Sequence, residues 1–213
     1  METHAYSEDL LPSAMRNLAV MMDCGVNMYG IEPEMFYLRF LSSGVADGLG
    51  RGNPKYAIGL SGIELADEVI ALTGGKILPN TPSTYSVTPE FWAGWSLAYY
   101  QWKTGYTFAF LQRNGLDINT VLDLYHPLHE AGLEKFADTA DHLISEHRRQ
   151  SVSPIKAARE RIGLTQKDLS KISSVSLRMI RAYEQGSQDI SSANFSTFLR
   201  LMRTLNLTLN DLA

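Results

Sequence analysis

Cysteine, long apolar runs and alternating apolar patterns are what this chain of 213 residues has little of or lacks. Its one cysteine, Cys24, cannot form an internal disulfide, fits a reducing compartment and excludes cysteine-based zinc sites. The expected place for such a thiol is a small apolar slot in the core. No stretch of about 18 apolar residues is present, so no membrane span is expected. The opening METHAYSEDLLPSAM has no basic region followed by an apolar one, so no secretory signal is indicated and a cytoplasmic location is expected. A sustained period-2 pattern is absent throughout, as is any internal repeat, and the chain therefore reads as all-α.

What is present is unevenly charged. Residues 153–213 hold nine Lys+Arg against five Asp+Glu, a balance of +4, and the remainder holds 10 basic and 18 acidic residues, a balance of −8. The overall net charge of −4 conceals a basic C-terminal part behind an acidic one. A local positive balance is what contact with phosphates requires, because it drives counterion release. Two domains are expected, an acidic helical one over 1–150 that binds a partner or ligand, and a second over 151–213, with Gln150-Ser151-Val152 as the linker.

In the first domain, Leu10, Leu11, Met15, Leu18, Ala19, Met22 and Val26 recur at helical spacing over 8–28, with Pro12 in the first turn. Pro33 opens a second helix predicted to bury Met35, Phe36, Leu38, Phe40 and Leu41. Residues 44–62 carry six glycines and a proline and predict loops and short turns. The GLGRG string at 48–52 has no preceding strand and no GK[ST], so it does not make a nucleotide site. Ser61 with Glu64 forms a capping box for a helix ending at Gly74-Gly75, and residues 76–87 read as a surface loop.

Thr88-Pro89 opens the most aromatic segment, EFWAGWSLAYYQWKTGYTFAF, whose rings fall on more than one helix face. Most are expected in the core, with Tyr100, Gln101 and Trp102 as the candidates for exposure and partner binding. Short helices are expected through Phe108 and Leu111 and over about 119–125, and a long one over about 128–148 with Leu133, Phe136, Ala137, Ala140, Leu143 and Ile144 inward. His126, His129 and Glu130, with Asp123 before them, could share a helix face. However, Pro127 is expected to interrupt that helix and the spacing matches no familiar metallohydrolase, so capping or packing roles are expected and no metal or cofactor is assigned.

The segment 164–186, LTQKDLSKISSVSLRMIRAYEQG, carries the clearest mechanism. Thr165 can N-cap a helix over 166–172, and Asp168 can reach back to the cap's amide. Ser174 lies in a polar break, Ser176 can cap a second helix over 177–185, and Gly186 can close it. Leu164, Leu169, Ile172, Val175, Ile180 and Tyr183 are placed to pack these helices on each other and on a third. Leu177, Arg178, Arg181, Ala182 and Gln185 stay outward, a face suited to a DNA major groove, where arginine can bond guanine O6 and N7. Ser153-Pro154 reads as the cap and first position of a preceding helix over 154–162, and further helices are expected over 194–204 and 209–212.

With these residues in view, 153–213 resembles the Cro/lambda-repressor (Xre) helix-turn-helix family. The resemblance lies in Gly163-Leu164-Thr165-Gln166, Leu169, Val175-Ser176, Ile180, Tyr183-Glu184-Gln185-Gly186 and the closing Leu207-Thr208-Leu209-Asn210-Asp211-Leu212. It departs where the family often has a glycine in the turn and this chain has Ser174, a substitution that costs about 1 kcal/mol if the backbone there has positive φ. The resemblance implies a five-helix lambda-repressor-like domain that binds a palindromic double-stranded operator as a homodimer. Arg178 and Arg181 would meet base edges or nearby phosphates, Leu177 a thymine methyl, and Gln166, Ser176, Lys167 and Lys171 the phosphate backbone. The resemblance also implies transcriptional repression, and Xre modules often serve type II antitoxins, whose other domain neutralises a toxin protein. The strings Gly52-Asn53-Pro54-Lys55-Tyr56 and Tyr99-Tyr100-Gln101-Trp102 are similar to segments of antitoxin-like bacterial proteins. A one-component ligand-sensing regulator or phage-type repressor is the alternative. No nucleophile–base pair, metal cluster or phosphate loop supports an enzyme, so none is expected.

Overall fold

In a computed structural model, residues 4–78, 87–150, 153–188 and 190–208 are described; they are all-α, with no strand among them. No helix among them is long and apolar enough to cross a membrane. The chain divides into two compact units, Met1–Ile144 and Ser145–Ala213, the division falling inside a helix that spans Leu133–Gln150.

The first unit is built on α1 (Leu11–Asp23) and α5 (Pro89–Thr104), which pack along each other. Pro12 stands in the first turn of α1, where a missing amide costs nothing, and α1 runs on into a wider π-helical turn at Cys24–Met28. Thr88 caps α5 by accepting the Phe91 N–H at 3.0 Å, and its hydroxyl donates to Asp23 at 2.6 Å, tying the start of α5 to the end of α1. Ala14, Leu18 and Ala19 of α1 and Ala93, Leu97 and Ala98 of α5 are fully or almost fully buried. Gly94 allows the close crossing: a Cβ there would lie 2.6 Å from the Leu18 carbonyl oxygen and 2.7 Å from the Ala19 Cα. Alanine gains up to about 1 kcal/mol over glycine in a helix, but forcing the helices apart costs about 1–3 kcal/mol in a close-packed core. Gly94→Ala is therefore expected to destabilise this unit. The check is a lower urea midpoint followed by the fluorescence of Trp92, Trp95 and Trp102; an unchanged or raised midpoint would contradict the close crossing.

Around this pair lie α2 (Pro33–Ser42), α3 (Val45–Gly50), α4 (Gly62–Leu72), α6 (Phe108–Arg113), α7 (Ile118–Asp123), α8 (Tyr125–Leu128) and the first part of α9 (Leu133–Gln150). The capping box of α4 forms as expected, with Glu64 N–H on Ser61 Oγ and Ser61 N–H on Glu64. Phe136, Ala137, Ala140 and Ile144 face inward on α9, with Leu133 and Leu143 half-buried.

Several expectations are corrected. The glycine-rich stretch 44–62 is not mainly loop: it forms α3 and a π-helical turn at Lys55–Gly59. Asn17 of α1 holds that turn by donating from Nδ2 to the carbonyls of Tyr56, Ala57 and Leu60 at 3.2, 3.0 and 2.8 Å. On α2 the inward residues are Phe36, Tyr37 and Phe40, and Met35 and Leu38 are exposed, because the buried stripe follows the helical period one position away from the expected set. Pro127 does not break the helix between the histidines. It occupies the first turn of α8, where its nitrogen has no intrahelical partner to lose, and the His129 ring stacks on Tyr125. Among the described residues no group of three or more His, Cys, Asp or Glu side chains is placed to hold a metal ion. The expected loop over 76–87 lies partly outside the described residues, since 79–86 are not among them.

The largest correction concerns Tyr100, Gln101 and Trp102. All three are buried, at 0, 2 and 6% exposure, and do not present a partner-binding surface. Their donor groups find acceptors inside the unit, and Gln101 Oε1 is left buried without a hydrogen-bond partner among the described residues. Tyr100 donates to Asp141, Gln101 Nε2 to the Gly50 carbonyl at 3.0 Å, and Trp102 Nε1 to the Tyr6 carbonyl at 2.9 Å. Tyr100 and Trp92 both meet Phe136 edge-on, so these rings pack into the core.

Candidate nucleic-acid interface

The second unit packs α10 (Pro154–Arg161), α11 (Gln166–Ser173), α12 (Leu177–Glu184) and α13 (Phe195–Leu205) around Ile155, Ala158, Leu169, Val175, Ile180, Tyr183, Leu201 and Leu205. The expected helix over 209–212 and the residues 151–152 of the expected linker lie outside the described residues, and Gln150 belongs to α9. Ser153 precedes α10 as expected but makes no side-chain capping bond; its side chain is buried.

The two central helices are set by local hydrogen bonds. Thr165 Oγ1 accepts the Asp168 N–H at 3.2 Å while Asp168 accepts the Thr165 N–H at 3.1 Å, a complete capping box. The two bonds from Thr165 hold the Asp168 carboxyl below the usual carboxylate range. At the far end of α11, Ser173 Oγ donates to the Leu169 carbonyl at 2.6 Å and accepts from Val175 N–H at 3.3 Å. Ser173 thus takes the buried place expected for Ile172, which is 61% exposed. Position 173 follows Leu169 by four residues and stays on its face, whereas 172 has rotated outward. Leu164 is half-buried.

Ser174 adopts the left-handed conformation, φ 54° and ψ 31°, that the turn demands. A side chain in that region carries strain that glycine escapes, and no helix propensity is at stake at this position. Ser174→Gly is expected to stabilise the unit by about 0.5–1 kcal/mol, somewhat reduced by the larger unfolded-state entropy of glycine. A thermal unfolding curve shifted to higher temperature checks it; a shift downward would mean that the serine makes a compensating contact.

Beyond the turn, Ser176 caps α12 by accepting the Met179 N–H at 3.3 Å. Ile180 and Tyr183 point into the core, and burial raises the Tyr183 phenol. On the opposite side Arg178, Arg181 and Gln185 are exposed, with Leu177, Met179 and Ala182 half-buried between them. These six, with Ser176, Ser187 and Gln188, line a shallow open hollow along the helix. The residues expected to face DNA on α12 are therefore brought together on one surface. Lys167 and Lys171 stand exposed on α11.

Gln166 is placed differently from a free surface residue. It is half-buried and its Nε2 donates to Glu184 at 2.8 Å. Glu184, on the inner side of α12, also receives two bonds from Arg159 of α10, Nε at 2.6 Å and Nη2 at 3.0 Å, and Arg159 Nη1 donates to the Leu164 carbonyl at 2.7 Å. The ion pair is buried, with side-chain exposures of 10% and 2%. Burial by itself would raise the Glu184 carboxyl, but the bonds from Arg159 and Gln166 outweigh it and leave its pKa lowered; the same pairing raises the Arg159 guanidinium. This network joins α10, α11 and α12. Sequence reasoning missed it, because partners 25 residues apart on different helices leave no periodic signal.

Residues 155–212 match the family model described as helix-turn-helix. No curated protein and no solved structure matches the chain. Residues 155–212 are a Cro/C1-type, Xre-like helix-turn-helix region, and the chain that carries it is a DNA-binding transcription regulator.

Proposed function

We propose that this regulator is a homodimeric, cytoplasmic repressor of its own operon and the antitoxin of a type II toxin–antitoxin pair. Its acidic first unit binds and neutralises a toxin protein, and its second unit reads a palindromic operator through Arg178, Arg181 and Leu177. Lys167, Lys171, Ser176 and the N-terminal end of α11 at Gln166 take phosphates. The chain itself has no catalytic role in this reading.

The observation that carries the antitoxin assignment over a ligand sensor is the fate of the aromatic helix. A sensor read from the sequence needs those rings around a pocket, and α5 instead spends Trp92, Tyr100 and Trp102 on the core. The first unit is rich in carboxylates, residues 1–144 carrying 8 Lys+Arg against 17 Asp+Glu, a balance of −9. Such a charge complements a basic face on a protein that acts on nucleic acid or nucleotides.

The test is coexpression with the product of the neighbouring reading frame. That product is expected to arrest growth alone, to be harmless alongside the full chain, and to copurify with it. A harmless neighbour would sink the antitoxin reading and leave the DNA-binding one standing. A bound metabolite that changes operator affinity would favour the one-component sensor.

A further inference from the structure

The groove-facing stripe read from the sequence ends at Gln185, but the chain does not leave the recognition helix there. Gly186, at φ +67°, turns it back. The Gln188 N–H then donates to the Ala182 carbonyl at 3.2 Å, and Ser187 Oγ donates to the same oxygen at 3.1 Å. The turn is thereby pinned to the last turn of α12, and Ser187 and Gln188 line the same hollow as Arg181, Ala182 and Gln185. Gln188 is exposed, and its side-chain amide bonds to no protein group among the described residues.

A glutamine amide presents one donor and one acceptor side by side, the complement of adenine N6 and N7 in the major groove. The eight residues of α12, Leu177–Glu184, span about 12 Å of helix, or three to four base pairs at about 3.4 Å each. A side chain held just past that end is placed for the next base pair, which the helix itself does not reach.

We propose that Gln188, on the turn bonded back to α12, is a base-reading residue that takes the adenine edge of an A·T pair at the end of the half-site read by Arg178 and Arg181. It adds a specificity determinant outside the recognition helix and rests on the DNA-binding reading. Serine at 187 fixes the backbone, and Gln188 supplies the reading group.

The experiment is selection of binding sites from a random double-stranded DNA library by the full chain, in the wild type and as Gln188→Ala and Gln188→Glu. The wild type is expected to enrich a site with an adenine at one outer position of each half. Gln188→Ala should flatten the preference at that position alone and lower affinity for the wild-type site about tenfold, with the other positions unchanged. Gln188→Glu should move the preference there from adenine toward cytosine, whose N4 amine a carboxylate accepts. An unchanged site in both variants would overturn the proposal. So would a uniform loss across all sequences, which would mark Gln188 as a phosphate contact. A wild type that enriches no site would overturn the DNA-binding reading itself and this proposal with it.

Discussion

Arg178→Ala combined with Arg181→Ala is expected to abolish sequence-specific operator binding while leaving the thermal unfolding of the chain where it was. Both arginines are exposed on α12, and neither guanidinium bonds to protein among the described residues, so nothing in the fold depends on them. Each good bidentate contact to guanine discriminates by about 1–3 kcal/mol. Losing two therefore costs about 2–6 kcal/mol, from roughly 30-fold upward in affinity. Salt separates base readers from phosphate binders: an arginine on a phosphate lowers the slope of log affinity against log salt by about 1, and one on a base edge leaves it nearly unchanged. Gel shift or fluorescence anisotropy at several salt concentrations measures both quantities. Binding that survives the double substitution with its site preference intact would reject α12 as the recognition helix.

The features legible in the sequence are those that local chemistry decides. The capping boxes at Ser61–Glu64 and Thr165–Asp168, the caps at Thr88 and Ser176 and the positive φ of Gly186 each follow from two or three neighbouring residues, and all form. The strain at Ser174 is of the same kind. The helix-turn-helix was readable because its order is a chain of such local decisions, with an apolar period between them. What was not readable depends on partners far away in the chain. Gln101 and Trp102 look amphipathic until the carbonyls of Gly50 and Tyr6, 51 and 96 residues distant, accept their protons. Residues 55–59 look like a glycine-flanked loop until Asn17 supplies three hydrogen bonds from 39 to 43 residues away. Phase errors came from helix ends and half-buried helices: Ile172 and Ser173, or Leu38 and Tyr37, exchange places on a small rotation, and hydrophobicity alone favours the wrong member of each pair. In the interface the exposed cations were visible from composition, and the inner network that orients their helix was not.

That inner network gives the other large effect. Arg159→Met is expected to destabilise the second unit by about 3–5 kcal/mol at neutral pH, because it leaves the Glu184 carboxylate buried with only Gln166 as a side-chain donor. Stability against pH should show the cause. In the wild type the pairing lowers the folded pKa of Glu184, so its contribution is present above the unfolded carboxylate pKa and is lost as pH falls through the folded one. In the variant the bonds from Arg159 are gone and burial dominates, which raises the folded pKa above the unfolded value. The deficit is then greatest at neutral pH and shrinks on acidification, the opposite trend. The double variant Arg159→Met with Glu184→Leu removes the orphaned charge and should recover much of the loss. Circular dichroism of the full chain follows the helices of both units, and the tryptophans, all at 92, 95 and 102, report the first alone, so a loss of helix signal without a change in tryptophan fluorescence belongs to the second. A single variant as stable as the wild type at neutral pH, or a deficit that does not shrink on acidification, would mean that the pair does not hold α10 to α12.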